Sequence, residues 1–226
     1  ERILEYPYFP VLLFAGLAVL YMAGPLFNHA VIMNAEGGIS GMRPLSDISL
    51  QKALQGNIPW INTYMGGHPG AQGLNEYLYF IMEYFLTRVM SVAQAYMIYI
   101  SLLLFCAGYF MNRLSRELGF HRYTALMLGV AYMFIPVSVS LLYAGHLSKM
   151  GVMTFTPLLF LLCRRLAFEP QFKTFLYLAG VIAATVATAH IQLAPMALTA
   201  SGLYFCYLMY FQFRDGISYK QTIRSI

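Results

Sequence analysis

Apolar residues run along this chain in long blocks separated by short polar stretches, without the strict alternation of a half-wet strand. Blocks at 9–27, 95–111, 123–143, 151–163, 174–189 and 194–213 each predict a helix, and together they predict six bilayer crossings. The first is framed by Pro7 and Pro10 before it and by Asn28 and His29 after it.

Between the first two blocks, residues 28–94, the pattern changes. Gly, Pro, Asn and Ser dominate to about residue 75, as in Glu36-Gly37-Gly38 and Met65-Gly66-Gly67-His68-Pro69-Gly70. A loop of this length in a compact protein is usually functional. Within it Ile48, Leu50 and Leu54 fall near helical spacing behind Ser46, a possible N-cap, so 46–54 reads as a short helix lying on the membrane surface. Residues 76–90 are apolar and aromatic but carry Glu76, Glu83 and Arg88; they read as an interfacial or re-entrant helix. The fold class expected is therefore an all-α polytopic membrane protein. It forms one transmembrane domain over 1–226, with juxtamembrane helices in a long first outer loop at 28–94.

Composition supports the bilayer as solvent: 59% of the 226 residues are hydrophobic and 10% charged, and mean hydropathy is +0.62. A net charge of +5 points to nucleic acid in a soluble protein. Here the basic residues lie between apolar blocks and report orientation instead. With 76–90 kept outside, Arg2, Arg113, Arg116, Arg122, Arg164, Arg165, Lys173, Arg214, Lys220 and Arg224 share one side, which the positive-inside rule makes cytoplasmic, together with both termini. Only Arg43, Lys52, Arg88 and Lys149 fall outside. Glu1-Arg2-Ile3-Leu4-Glu5 is not a basic n-region, so the first block reads as an uncleaved anchor. Cys106, Cys163 and Cys206 lie within apolar blocks and read as small packing residues.

This topology gathers the long loop, Gly145-His146-Leu147-Ser148-Lys149 and His190-Ile191-Gln192 on the outer face. Asp47 either opens the surface helix, well placed against its dipole, or serves as a base or cation ligand. His146 and Lys149 suit an anionic phosphate, with lysine as fixed charge and histidine as donor or proton shuttle. Headgroup snorkelling and helix termination are the plainer roles for the pair. His190 and Gln192 repeat the theme, or merely cap the next helix. His68 reads as a loop residue. No strong His/Cys metal spacing, Walker loop or dinucleotide fingerprint is present. No charge lies mid-crossing, where a transporter's coupling site is expected.

Phe105-Cys106-Ala107-Gly108-Tyr109, then Leu114-Ser115-Arg116-Glu117-Leu118-Gly119-Phe120, and then a small-residue-rich helix ending in Ala131-Tyr132 look like the YfhO-type bacterial membrane proteins of the GT-C glycosyltransferase class. Ala144-Gly145-His146-Leu147-Ser148-Lys149 resembles that family's Gly-His-x-x-Lys turn, and Ala189-His190-Ile191-Gln192 its His-x-Gln turn. Ser46-Asp47 with Ile58-Pro59-Trp60 is similar to its first-loop acid and following Pro-aromatic pair. The resemblance implies an enzyme of the bacterial cytoplasmic membrane that uses a polyprenyl-phosphate-linked sugar, with Asp47 as catalytic base. His146, Lys149, His190 and Gln192 then bind substrate, and a divalent metal ion is the one cofactor it admits. GT-C enzymes are generally longer, so the resemblance covers an amino-terminal module. The expected partners are membrane lipids, the lipid-linked donor and further membrane subunits; nucleic acid is not among them. A non-catalytic subunit of a larger membrane complex is the alternative.

Overall fold

A computed structural model describes residues 7–28, 60–61, 68–69, 82, 85–86, 88–144, 146–188 and 190–214. Its helices are α1 (Phe9–Phe27), α2 (Val92–Glu117), α3 (Arg122–Met133), α4 (Pro136–Tyr143), α5 (Leu147–Phe168), α6 (Phe172–Ala187) and α7 (Leu193–Arg214). Two-residue strands β1 (Trp60–Ile61) and β2 (His68–Pro69) pair antiparallel, with Ile61 opposite His68. The surface helix expected at 46–54, with Asp47, lies outside the described residues, as do Glu36, Glu76 and Glu83. Of the interfacial segment expected at 76–90, Met82, Phe85, Leu86 and 88–90 are described, and Met82 packs against the core.

Five helical stretches are long and apolar enough to cross a bilayer: Phe9–Phe27, Gln94–Glu117, Arg122–Tyr143, Leu147–Phe168 and Leu193–Arg214. The chain is thus a helical multi-pass membrane protein. Helix α6 is apolar but has 16 residues, about 24 Å at 1.5 Å per residue, short of the roughly 30 Å hydrocarbon core.

Local chemistry explains where the helices begin and end. Ser91 opens α2 three residues before its expected start: its Oγ accepts from the Gln94 N–H at 3.3 Å, and the Gln94 side chain accepts from the Ser91 N–H at 3.1 Å, a reciprocal capping box. Gly119 closes the same helix at φ 88°, a conformation that favours glycine. There the Gly119 N–H bonds the Arg116 carbonyl and the Phe120 N–H bonds the Ser115 carbonyl, a Schellman arrangement. The block at 123–143 is divided at Phe134–Ile135. Pro136 has no N–H to donate and pushes Ile135 to ψ 140°, so α3 stops and α4 starts afresh.

Helix α2 is the hub, packing on α1, α3 and α5, while α5 in turn carries α4, α6 and α7. A close approach joins α2 to α3. A Cβ on Gly129 would stand 2.7 Å from the Gly108 carbonyl oxygen and 2.5 Å from the Phe14 ring. Two glycines thus bring the backbones together, and the fully buried Phe14 of α1 fills the notch they leave. Polar ties reinforce the packing. The Thr154 hydroxyl on α5 donates to the Leu103 carbonyl of α2 at 3.2 Å. The Tyr132 hydroxyl on α3 donates to the Met153 carbonyl of α5 at 2.8 Å. Pro157, inside α5, cannot donate to Met153 four residues back, so Tyr132 supplies the partner that the proline removes.

Candidate functional site

The sequence places Lys149 in a turn before a helix at 151; the structure starts α5 at Leu147, with His146 as N-cap residue and Lys149 in the first turn. The polar residues Ser148 and Lys149 are no obstacle at a helix end, where the first N–H groups lack intrahelical partners. The lysine therefore adds charge to the positive end of the helix dipole, and that first turn has no acidic residue to offset it.

Helix α6 returns to the same place. A Cβ on Gly151 would lie 2.7 Å from the Thr188 methyl, so the α5 backbone touches the residue that closes α6. Thr188 is buried, and its hydroxyl donates to the Thr185 carbonyl at 2.7 Å. Two residues later His190, half-buried, accepts the Leu193 N–H on Nδ1 at 3.0 Å and so caps α7. This bond assigns Nδ1 as acceptor and leaves the proton of the neutral ring on Nε2. Burial holds the His190 imidazole below its ordinary value, and the neighbouring Lys149 charge, followed by His146, pushes in the same direction.

His146, Lys149 and His190 are accordingly one electrostatic neighbourhood, at the N-termini of α5 and α7 and the C-terminus of α6. Gln192, exposed on the turn, has its carbonyl engaged by the Met196 N–H at 3.4 Å. Cation, histidine donor and two positive helix ends suit an anion such as phosphate. Of the described acidic residues, Glu117 and Glu169 stand at the other end of α5. Among the described residues no group of three or more His, Cys, Asp or Glu is placed to hold a metal ion. The Lys149 charge beside His146 and His190 further disfavours a cation there. Asp47 lies outside the described residues, and of His68 only the backbone pairing with Ile61 is described.

At the far end of α5 stands an arrangement that the sequence reading passed over. Arg165, counted there only as a marker of sidedness, directs Nε and Nη2 to one oxygen, Oε2, of Glu117 at 3.0 and 2.8 Å. The pair ties the last turn of α5 to the last residue of α2. Its signal was present: between residues 84 and 168 Glu117 is the one carboxylate, set among Arg113, Arg116, Arg122, Arg164 and Arg165.

The likeness to YfhO-type proteins rests on the short motifs quoted above: the chain matches no family model, no curated protein and no solved structure.

Proposed function

We propose that this chain is the membrane-embedded module of a GT-C-like glycosyltransferase of the bacterial cytoplasmic membrane, holding the phosphate of a polyprenyl-phosphate-linked sugar at the outer face. One observation carries the reading: Lys149, His146 and His190 gather where α5 and α7 present positive ends, with no acidic residue in the first turn of either. As the sugar departs, negative charge grows on the leaving phosphate. A fixed cation and oriented N–H donors stabilise that charge more than the ground state. Asp47 is the base for the acceptor hydroxyl. Any divalent ion depends on ligands from the 28–94 loop.

The reading includes six crossings with both termini cytoplasmic. Helix α6 supports the count despite its length. It begins four residues after the end of α5 and reaches back to Gly151, near the start of α5, and so runs beside most of a 22-residue span. Local thinning of the bilayer accommodates a helix of this kind at modest cost.

A second reading, a non-catalytic subunit of a larger membrane complex, is favoured by the absence of any carboxylate at this cluster among the described residues. Transfer and binding assays in membranes separate the two. On the first reading Lys149→Gln weakens polyprenyl-phosphate binding about tenfold, as expected for loss of a charge-assisted contact. Asp47→Asn abolishes sugar transfer while donor binding persists. Transfer surviving in Asp47→Asn removes the base assignment. Wild-type protein that binds the lipid phosphate, transfers nothing and copurifies in fixed stoichiometry with other membrane subunits establishes the second reading.

A further inference from the structure

Where α2 and α5 leave the bilayer, at the end of α5 opposite His146 and Lys149, an open recess of about 250 Å³ is lined by Glu117, Arg165, Glu169, Gln171 and Thr174. At about 30 Å³ per water it has room for roughly eight waters or a small polar group. The Arg165–Glu117 pair fixes its inner wall. Because both guanidinium bonds fall on Oε2, Oε1 of Glu117 and Nη1 of Arg165 have no partner among the described residues. Glu169, which closes α5, has no side-chain partner among them either. Within the lining the charges of Arg165 and Glu117 offset each other, so Glu169 is the uncompensated charge there and offers an acceptor for a cationic group. It is not a bare carboxylate site, however, because Arg165, the Gln171 amide and the Thr174 hydroxyl offer N–H and O–H donors on the same wall. Arg164 and Lys173, though near in sequence, do not line the recess. Arg164 lies over the Phe168 ring at 4.8 Å and Lys173 over Tyr177 at 5.6 Å.

A ligand matching this wall carries an ammonium with N–H groups for Glu169 and, two carbons away, a phosphate for Arg165 and Thr174. We infer that the recess binds a phosphoethanolamine headgroup, supplied by a phospholipid of the membrane in which α2 and α5 sit. The location fits: a span's terminal residues lie at headgroup depth, and the lining comes from the last turns of two spans and the first turn of α6. The headgroup's charge order, phosphate toward the acyl chains and ammonium outward, matches Arg165 within the last turn of α5 and Glu169 just beyond it.

Native mass spectrometry of the full chain, released from detergent with equimolar phosphatidylethanolamine, phosphatidylcholine and phosphatidylglycerol, tests the assignment. Phosphatidylethanolamine is retained roughly tenfold over phosphatidylcholine, whose quaternary ammonium has no N–H to donate. It is also retained over phosphatidylglycerol, which has no cation. Glu169 is exposed at a helix end, so Glu169→Gln folds normally and brings the preference for phosphatidylethanolamine over phosphatidylcholine to about one. Soluble glycerophosphoethanolamine distinguishes the sources. A melting shift with the phospholipid alone assigns a membrane lipid; a shift with both assigns headgroup recognition from water, and in either case the shift is lost in Glu169→Gln. Equal retention of the three lipids, or a preference unchanged by Glu169→Gln, overturns the inference.

Discussion

Pro157 leaves the Met153 carbonyl without its helical donor, and the Tyr132 hydroxyl from another helix repairs the loss. Removing that hydroxyl strands a carbonyl inside the bundle, where no water replaces it. Tyr132→Phe therefore lowers stability by about 1–2 kcal/mol in detergent melting. Tyr207→Phe, which removes a hydroxyl from an exposed ring, leaves the melt unchanged. His190 gives a second expectation, in pH. Burial, helped by Lys149, holds its folded value below the ordinary 6.5, so the unfolded chain binds the proton more readily. The resulting stability is fully present above about pH 6.5, declines as pH falls through that value toward the lowered one, and is then lost. His190→Asn keeps an acceptor for the Leu193 N–H and removes the titration, so the gap between melts at about pH 7.5 and pH 5 narrows in the variant. At this scale the sequence marks which polar residues are unusual: His146, Lys149 and His190 stand out because so little around them is polar. It does not show partners between helices, because the Tyr132–Met153 bond joins residues 21 apart and the Arg165–Glu117 pair residues 48 apart.

Packing between elements depends on close approach as much as on apolar area, since lipid is as apolar as the helix faces. Gly108, Gly129 and Phe14 show this most directly. Gly129→Ala drives a methyl into both the Phe14 ring and the Gly108 carbonyl, one of which is backbone and cannot swing aside. It is expected to cost about 1–3 kcal/mol, read as a lower melting temperature or reduced recovery from membranes. Gly180→Ala on α6 meets open space and leaves stability level or slightly higher, which separates the contact from any general effect of glycine in a helix. The apolar blocks made the helices legible, since every block is helical in the structure, but their limits moved for reasons that periodicity does not carry. A capping box brings α2 forward to Val92, a proline divides 123–143, and α5 takes in Lys149 at one end and Arg164 and Arg165 at the other. The last shift turns presumed loop charges into helix-end charges.

Across the whole molecule, sidedness decides whether the His146–Lys149–His190 cluster and the Glu117–Arg165 recess face opposite compartments. Helix α5 separates them by 16 residues from Lys149 to Arg165, about 24 Å along its axis. Basic residues of the described helix ends gather together: Arg113 and Arg116 near the end of α2 with Arg122 at the start of α3, and Arg164 and Arg165 near the end of α5 with Lys173 at the start of α6. Lys149 alone marks the opposite end of α5. In the proposed topology the positive-inside rule puts the first group in the cytoplasm, and α6 is the element on which the proposal turns, because it is the shortest of the helices required to cross. Single cysteines introduced into a chain whose Cys106, Cys163 and Cys206 are replaced by serine settle it with a membrane-impermeant maleimide. Gln192→Cys, on the exposed turn beside His190, reacts in right-side-out vesicles. His121→Cys and Gln171→Cys, both exposed, react only in inverted ones. Should Gln171→Cys and Gln192→Cys react from the same side, α6 does not cross. The six-crossing topology then falls to five, and α7 runs in the opposite direction through the bilayer from the one the charge pattern requires. That outcome also removes the His190 cluster, because α5 crosses with Lys149 at one end and Gln171 just past the other, and His190 sits beside Lys149. The placement of lipid-phosphate chemistry at the outer face falls with it.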